Sequence, residues 1–135
     1  MVIVGVTALA LSACAGTSGA TEVRITATES ASGQSFTSDV ISFEVGQPYH
    51  FVVENRGVLA HEFMILEPIE PGAMDMEEMD AMAMYVVEEE NLEPGATYEF
   101  DYTFGSDAAG MSLEFACYLP GHYEAGMHLP ITVEA

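Results

Sequence analysis

Cys117, His122 and Met127 set a thiolate, an imidazole and a thioether within eleven residues of a turn-rich stretch, Phe115-Ala116-Cys117-Tyr118-Leu119-Pro120-Gly121-His122-Tyr123-Glu124-Ala125-Gly126-Met127. Soft sulfur donors mixed with imidazole suit a metal that alternates between Cu(I) and Cu(II). The thiolate and imidazoles bind both states, while a long thioether bond favours the reduced one. The blue-copper arrangement places two imidazoles and one thiolate near a plane, with a thioether on its axis. This stretch supplies only one of the two imidazoles. His61, which follows a turn and opens an apolar run, is the natural candidate for the other. Each residue also has a plainer reading: Cys117 as a buried structural thiol, His61 as a hydrogen-bonded strand residue, His122 as a loop residue, Met127 as core filler. His50 and His128 read as bystanders, although His128 directly follows Met127 and could serve as a surface route for electrons.

The second cysteine, Cys14, ends an apolar run that starts at Val2. That run is too short to span a bilayer and fits the apolar region of an export signal. Leu11-Ser12-Ala13-Cys14 resembles a bacterial lipoprotein box, in which the cysteine becomes the lipidated N-terminus. Residues 1 to 13 carry no Lys or Arg, so the usual basic region of such a signal is missing; an ordinary cleaved signal with an incidental cysteine is the alternative. A lipidated Cys14 leaves Cys117 without a disulfide partner in an oxidising compartment, and a metal gives such a thiol a reason to persist. The expected organisation is therefore an export signal over residues 1–14, a tether over 15–21 and one domain over 22–135. The expected location is the periplasm or cell surface, with membrane contact only through an N-terminal lipid anchor.

Twenty-two acidic residues face two arginines, Arg24 and Arg56, and no lysine, for a net charge of −20. Nucleic acid is excluded as a partner, because phosphate binding needs clustered cations to displace counterions. A basic protein, a cation or a saline medium suits such a surface. No Ser/His/Asp set, phosphate-cradling glycine loop or paired catalytic carboxylates stands out. A single cysteine in the domain excludes a two-thiolate binuclear copper centre, and no His-x-His pairs exist for a trinuclear cluster. A non-enzymatic protein is expected.

The elements that must position these donors read mostly as strands. Val23, Ile25 and Ala27 alternate with polar residues, as do Tyr49, Phe51 and Val53, and Tyr98, Phe100, Tyr102 and Phe104. Such period-2 runs are half-buried strands. Met111, Leu113, Phe115 and Cys117 share one parity, so Cys117 leaves its strand on the core side. Phe43 and Val45 before a turn at Gly46-Gln47-Pro48, His61 to Leu66, and Ile131 with Val133 complete the set. The expected fold is an all-β Greek-key sandwich of seven to eight strands. Residues 73 to 87 break the alternation. Met76, Met79, Met82, Ala83, Val86 and Val87 share a helical face there, which predicts a short helical insertion.

With these motifs in place, the chain resembles the cupredoxins, the type 1 blue copper family of azurin, plastocyanin, rusticyanin and auracyanin, over about residues 22 to 134. The resemblance rests on Asn55-Arg56-Gly57 before His61-Glu62-Phe63, on Leu92-Glu93-Pro94-Gly95 before a Tyr/Phe-rich strand, and on the loop from Cys117 to Met127. Its spacing is that of rusticyanin and auracyanin, and the loop is also similar to exported bacterial copper-resistance cupredoxins. The resemblance implies one copper ion, with His61, Cys117, His122 and Met127 as its ligands. It departs at Glu62, where many members carry Asn or Ser that steadies the cysteine loop by hydrogen bonds. A carboxylate there can accept a hydrogen bond but adds negative charge, favouring Cu(II).

The function implied is transfer of single electrons between periplasmic or cell-surface partners. The redox partner would have a basic surface, such as a cytochrome or oxidase, and the carrier would be monomeric. The alternative is copper sequestration or delivery for resistance, with the Met-rich insertion as accessory Cu(I) site. Met74 and Met84, left over from the apolar helical face, are its candidate ligands; core packing explains the other methionines there.

Overall fold

The computed structural model describes residues 19–135, so the export-signal and lipidation expectations at Cys14 lie outside the described residues. Nine strands form among them: β1 (Thr21–Ser30), β2 (Gly33–Ser38), β3 (Ser42–Glu44), β4 (Pro48–Asn55), β5 (Phe63–Leu66), β6 (Tyr85–Val87), β7 (Thr97–Thr103), β8 (Leu113–Ala116) and β9 (His128–Glu134). They make two sheets, ordered β2-β1-β4-β7 and β3-β9-β8-β5-β6. Most neighbours run antiparallel, but β1 pairs parallel with β4 and β3 with β9. No described helix is long and apolar enough to cross a membrane.

Alternation builds the core. Val23, Ile25 and Ala27 from β1, with Tyr49, Phe51 and Val53 from β4, point inward and are buried. They meet Phe43, Phe63, Phe115, Ile131 and Val133 from the opposite sheet. Phe51 stacks on Phe100 at 4.9 Å between ring centroids, and Phe43 stands edge-on to Phe115 at 5.9 Å. These rings fill the space between sheets, where burial of apolar area and close packing stabilise the sandwich.

β5 and β8 are buried on both faces. Their outward side chains Met64, Leu66 and Ala116 form a second cluster with Met79 and Tyr118. The cover is helix α1 (Met76–Met82), started by a capping box in which Asp75 accepts from the Glu78 N–H and Glu78 from the Asp75 N–H. The helix is shorter than the apolar pattern suggested. Met82 is 62 % exposed, and Val86 and Val87 belong to strand β6, paired with Met64 and Phe63 of β5. Edge pairing with an existing strand outweighs a weak helical repeat here.

Candidate metal centre

The ends of β5 and β8 meet at one edge of the sandwich. The His61 N–H donates to the Leu92 carbonyl (3.2 Å), holding the residue just before β5. Asn55, fully buried at the end of β4, donates from Nδ2 to both Leu92 and Leu59 carbonyls at 2.7 Å. Its Oδ1 accepts from the Gly57 N–H at 2.9 Å. One side chain thus ties together the turn before His61 and the loop behind it.

Cys117 leaves β8 into a compact loop. Its N–H donates to the Met127 carbonyl (3.0 Å), and the Met127 N–H to the His122 carbonyl (3.1 Å). These bonds fold the chain back so that the backbone of Met127 returns beside Cys117 and His122. The Met127 side chain is fully buried. One donor atom each from His61, Cys117 and His122 lies within 4.8 Å of the others. Cys117 Sγ is 3.4 Å from His122 Nδ1 and accepts from the Glu62 N–H at 3.4 Å.

His61 shows what the space is built for. Its Nε2 donates to Glu29 Oε1 at 2.6 Å, while its buried Nδ1 has no partner among the described residues. A buried polar atom left unpaired costs about 1–3 kcal/mol, so an uncompensated lone pair needs an explanation. A metal ion bonded to Nδ1 supplies one. Burial pushes the Cys117 thiol up to about 12, partly offset by N–H groups of Glu62 and Leu119. Burial, reinforced by the facing His61, holds His122 below the usual imidazole range. A thiol and two imidazoles brought within reach of one another fit copper, whose charge would displace the thiol proton.

Glu62 occupies the position where the family's Asn or Ser is expected. It is 3 % exposed, and its Oε1 accepts from the Tyr118 N–H at 3.2 Å, so a carboxylate does steady the cysteine loop. Burial raises its pKa to about 7, which reduces the negative charge it carries beside the site.

The remaining candidates fall elsewhere. His50 lies on β4, hydrogen-bonded to Asp101 at 2.7 Å. His128 stacks on Tyr123 at 4.4 Å, and Tyr123 on Tyr118 at 4.6 Å, so it ends an aromatic row that starts beside Cys117. Met74 and Met84 line different cavities. Met74, with Met76 and Met79, lines one of about 450 Å³ whose other wall is Tyr118, Gly121 and Tyr123 of the metal loop. Met84 lines a smaller one of about 180 Å³ with Met82 and Met111. Glu29 carried no motif signal, being one acidic residue among 22 and far from His61 in sequence.

No family model matches the sequence. The chain is 31 % identical over 130 aligned residues to the copper-resistant cuproprotein CopI of Pseudomonas aeruginosa, covering 73 % of this chain and 70 % of that protein. It is 34 % identical over 94 residues to the copper-resistant cuproprotein CopI of Rubrivivax gelatinosus, covering 68 % of this chain and 55 % of that one. In fold it matches reduced auracyanin from Roseiflexus castenholzii with a TM-score of 0.59 and 22 % identity, over 89 % of this chain and 100 % of that one. Relatedness in sequence and likeness in fold agree with the geometry: the chain belongs to the cupredoxin family, with copper-resistant cuproproteins among its relatives.

Proposed function

We propose that this protein binds one type 1 copper ion through His61, Cys117, His122 and Met127 and carries single electrons. The observation that supports it best is the unpaired His61 Nδ1 sharing one small buried space with Cys117 and His122. When bound, copper supplies a Cu(II)/Cu(I) couple. The protein's own residues do the rest. Hydrogen bonds with Glu62, Met127, Leu92 and Glu29 hold the three residues in place without the ion, so little rearrangement accompanies a change of oxidation state. His61 is sealed from solvent, whereas His122 is half-buried, which makes its ring the exit for an electron.

The surface beside this exit suits a partner. Val58 (80 % exposed) and Leu59 (43 %) present apolar area just before His61. Glu88, Glu89, Glu90 and Glu93 line a shallow depression with Ala60. A basic redox protein such as a cytochrome or oxidase would be drawn to this acidic rim and seat on the apolar tip. Export to the periplasm or cell surface, with lipid attachment at Cys14, completes the proposal. It rests on the signal-like run before Cys14 and on the lone thiol of the domain.

Adding Cu(II) to the purified protein should give an intense visible band, and Cys117→Ser should abolish it. A colourless wild type, or a coloured Cys117→Ser variant, would overturn the ligand assignment.

A second reading, copper sequestration or delivery, is favoured by the name of the relatives and by the methionine-lined cavity against the metal loop. Thioethers select Cu(I). Competition against a chromophoric Cu(I) chelator separates the readings. One Cu(I) per chain supports electron transfer alone; two or more, reduced when Met74 and Met84 become leucine, support copper handling.

A further inference from the structure

Glu29 sits near the end of β1, in register with Gln34 of β2, and its side chain reaches across to the turn before His61. Only 15 % of that side chain is exposed. Its two carboxylate oxygens are both engaged: Oε1 accepts from His61 Nε2 at 2.6 Å and from the Leu59 N–H at 3.3 Å, and Oε2 from the Val58 N–H at 2.8 Å. Gly57 lies so close to the carboxylate that a β-carbon there would push the Glu29 side chain aside. The turn is shaped around this acid.

We propose that Glu29 is a positioning residue for His61. Its carboxylate holds the ring with the proton on Nε2 and the bare Nδ1 toward Cys117 and His122, and its charge favours the oxidised over the reduced metal.

The inference rests on the reading of His61 as a ligand. Three features carry it beyond a turn-tying role. Glu29 occupies Nε2 and leaves Nδ1 as the ring nitrogen without a partner among the described residues, so the bond decides which nitrogen is left bare. The contact is short and sealed from water on the histidine side, where a charged acceptor acts at low dielectric. A carboxylate acceptor makes imidazole a stronger donor to metal than a carbonyl acceptor would, as in carboxylate–histidine–metal triads. Stronger donation and a nearby negative charge both stabilise Cu(II) more than Cu(I). The backbone bonds from Val58 and Leu59 help by fixing the carboxylate in place against the ring.

Two measurements test this. In the copper-free wild type, nitrogen–proton correlation NMR of the imidazole rings should show His61 as a single tautomer protonated at Nε2. A His61 protonated at Nδ1 would overturn the proposal without any variant. In the copper-loaded protein, Glu29→Gln keeps the shape and one acceptor but removes the charge. Its visible band should persist, its Cu(II) affinity should fall about 10- to 100-fold and its Cu(I) affinity less, so that it becomes more easily reduced. The reduction potential, read from the band in a redox titration, should therefore rise. A turn-tying role alone lowers the thermal midpoint and leaves the potential where it was, and that result would also overturn the proposal. Failure of the underlying ligand reading is distinguishable, because His61→Ala would then retain the band.

Discussion

Asn55 has no contact with solvent, and its amide is fully engaged: Nδ2 donates to the Leu59 and Leu92 carbonyls, and Oδ1 accepts from Gly57. Asn55→Ala should therefore destabilise the protein by about 3 kcal/mol in chemical denaturation, because several buried groups lose their partner together. The Leu92 carbonyl also accepts from the His61 N–H, so the copper-loaded variant should show a weakened or broadened visible band. The turn Asn55-Arg56-Gly57 was legible as a turn, but the sequence could not say that its asparagine faces inward to hold a loop 37 positions away. At the far side of the same sheet, His50 is raised above its ordinary value by its hydrogen bond to Asp101, slightly opposed by burial and helped by Glu99. A raised basic group contributes stability that is complete below the unfolded value of about 6.5 and lost as pH climbs through the folded value. The pair is well exposed, so the effect is small. Thermal melts from pH 6 to pH 8 should show a shallow decline that His50→Gln removes.

Among the elements, the strands with clean alternation, β1, β4 and β7, were legible because each covers the core with one face and meets solvent with the other. The parity reasoning at Cys117 also holds: Leu113, Phe115 and Cys117 enter the main core, while Ala116 turns to the second cluster. What stayed hidden had no such signature. β2 (Gly-Gln-Ser-Phe-Thr-Ser) buries a single residue, Phe36, and is a strand only because β1 lies beside it. β6 looked helical because three residues are too few to show a period of two. The tip of the β1–β2 hairpin matters more than its sequence suggests. The Gln34 N–H donates to the Ala125 carbonyl at 2.9 Å, docking the hairpin onto the metal loop. Gly33 has φ +140°, and a β-carbon there would collide with the same Ala125 carbonyl. Gly33→Ala should cost about 1–3 kcal/mol in stability and, by displacing the segment before Met127, shift the visible band of the copper-loaded protein. A variant with unchanged melting and spectrum would show that the hairpin does not brace the loop.

Over the whole molecule, −20 charges with only two arginines, each paired to a neighbouring glutamate, leave strong self-repulsion. The thermal midpoint should rise as salt is added from roughly 10 mM to 150 mM, where the screening length falls from about 30 Å to about 8 Å. Over the same range, reduction by a basic cytochrome should slow, and replacing Glu88, Glu89 and Glu90 with glutamine should slow it at low salt while nearly abolishing the salt dependence. A salt-independent rate in the wild type would remove electrostatic steering from the proposal. Composition announced the charge; only the fold shows that part of it rims the His61 edge.

β9 lies inside its sheet, between β3 and β8, and Phe43 pairs in register with Val133. A nascent chain that still lacks residues 128–134 therefore has both Cys117 and His122 but no strand to join β3 to β8 in the five-stranded layer. Such distant pairings form late and slowly. The layer that carries the metal cradle is thus closed by a pairing between stretches of chain far apart in sequence.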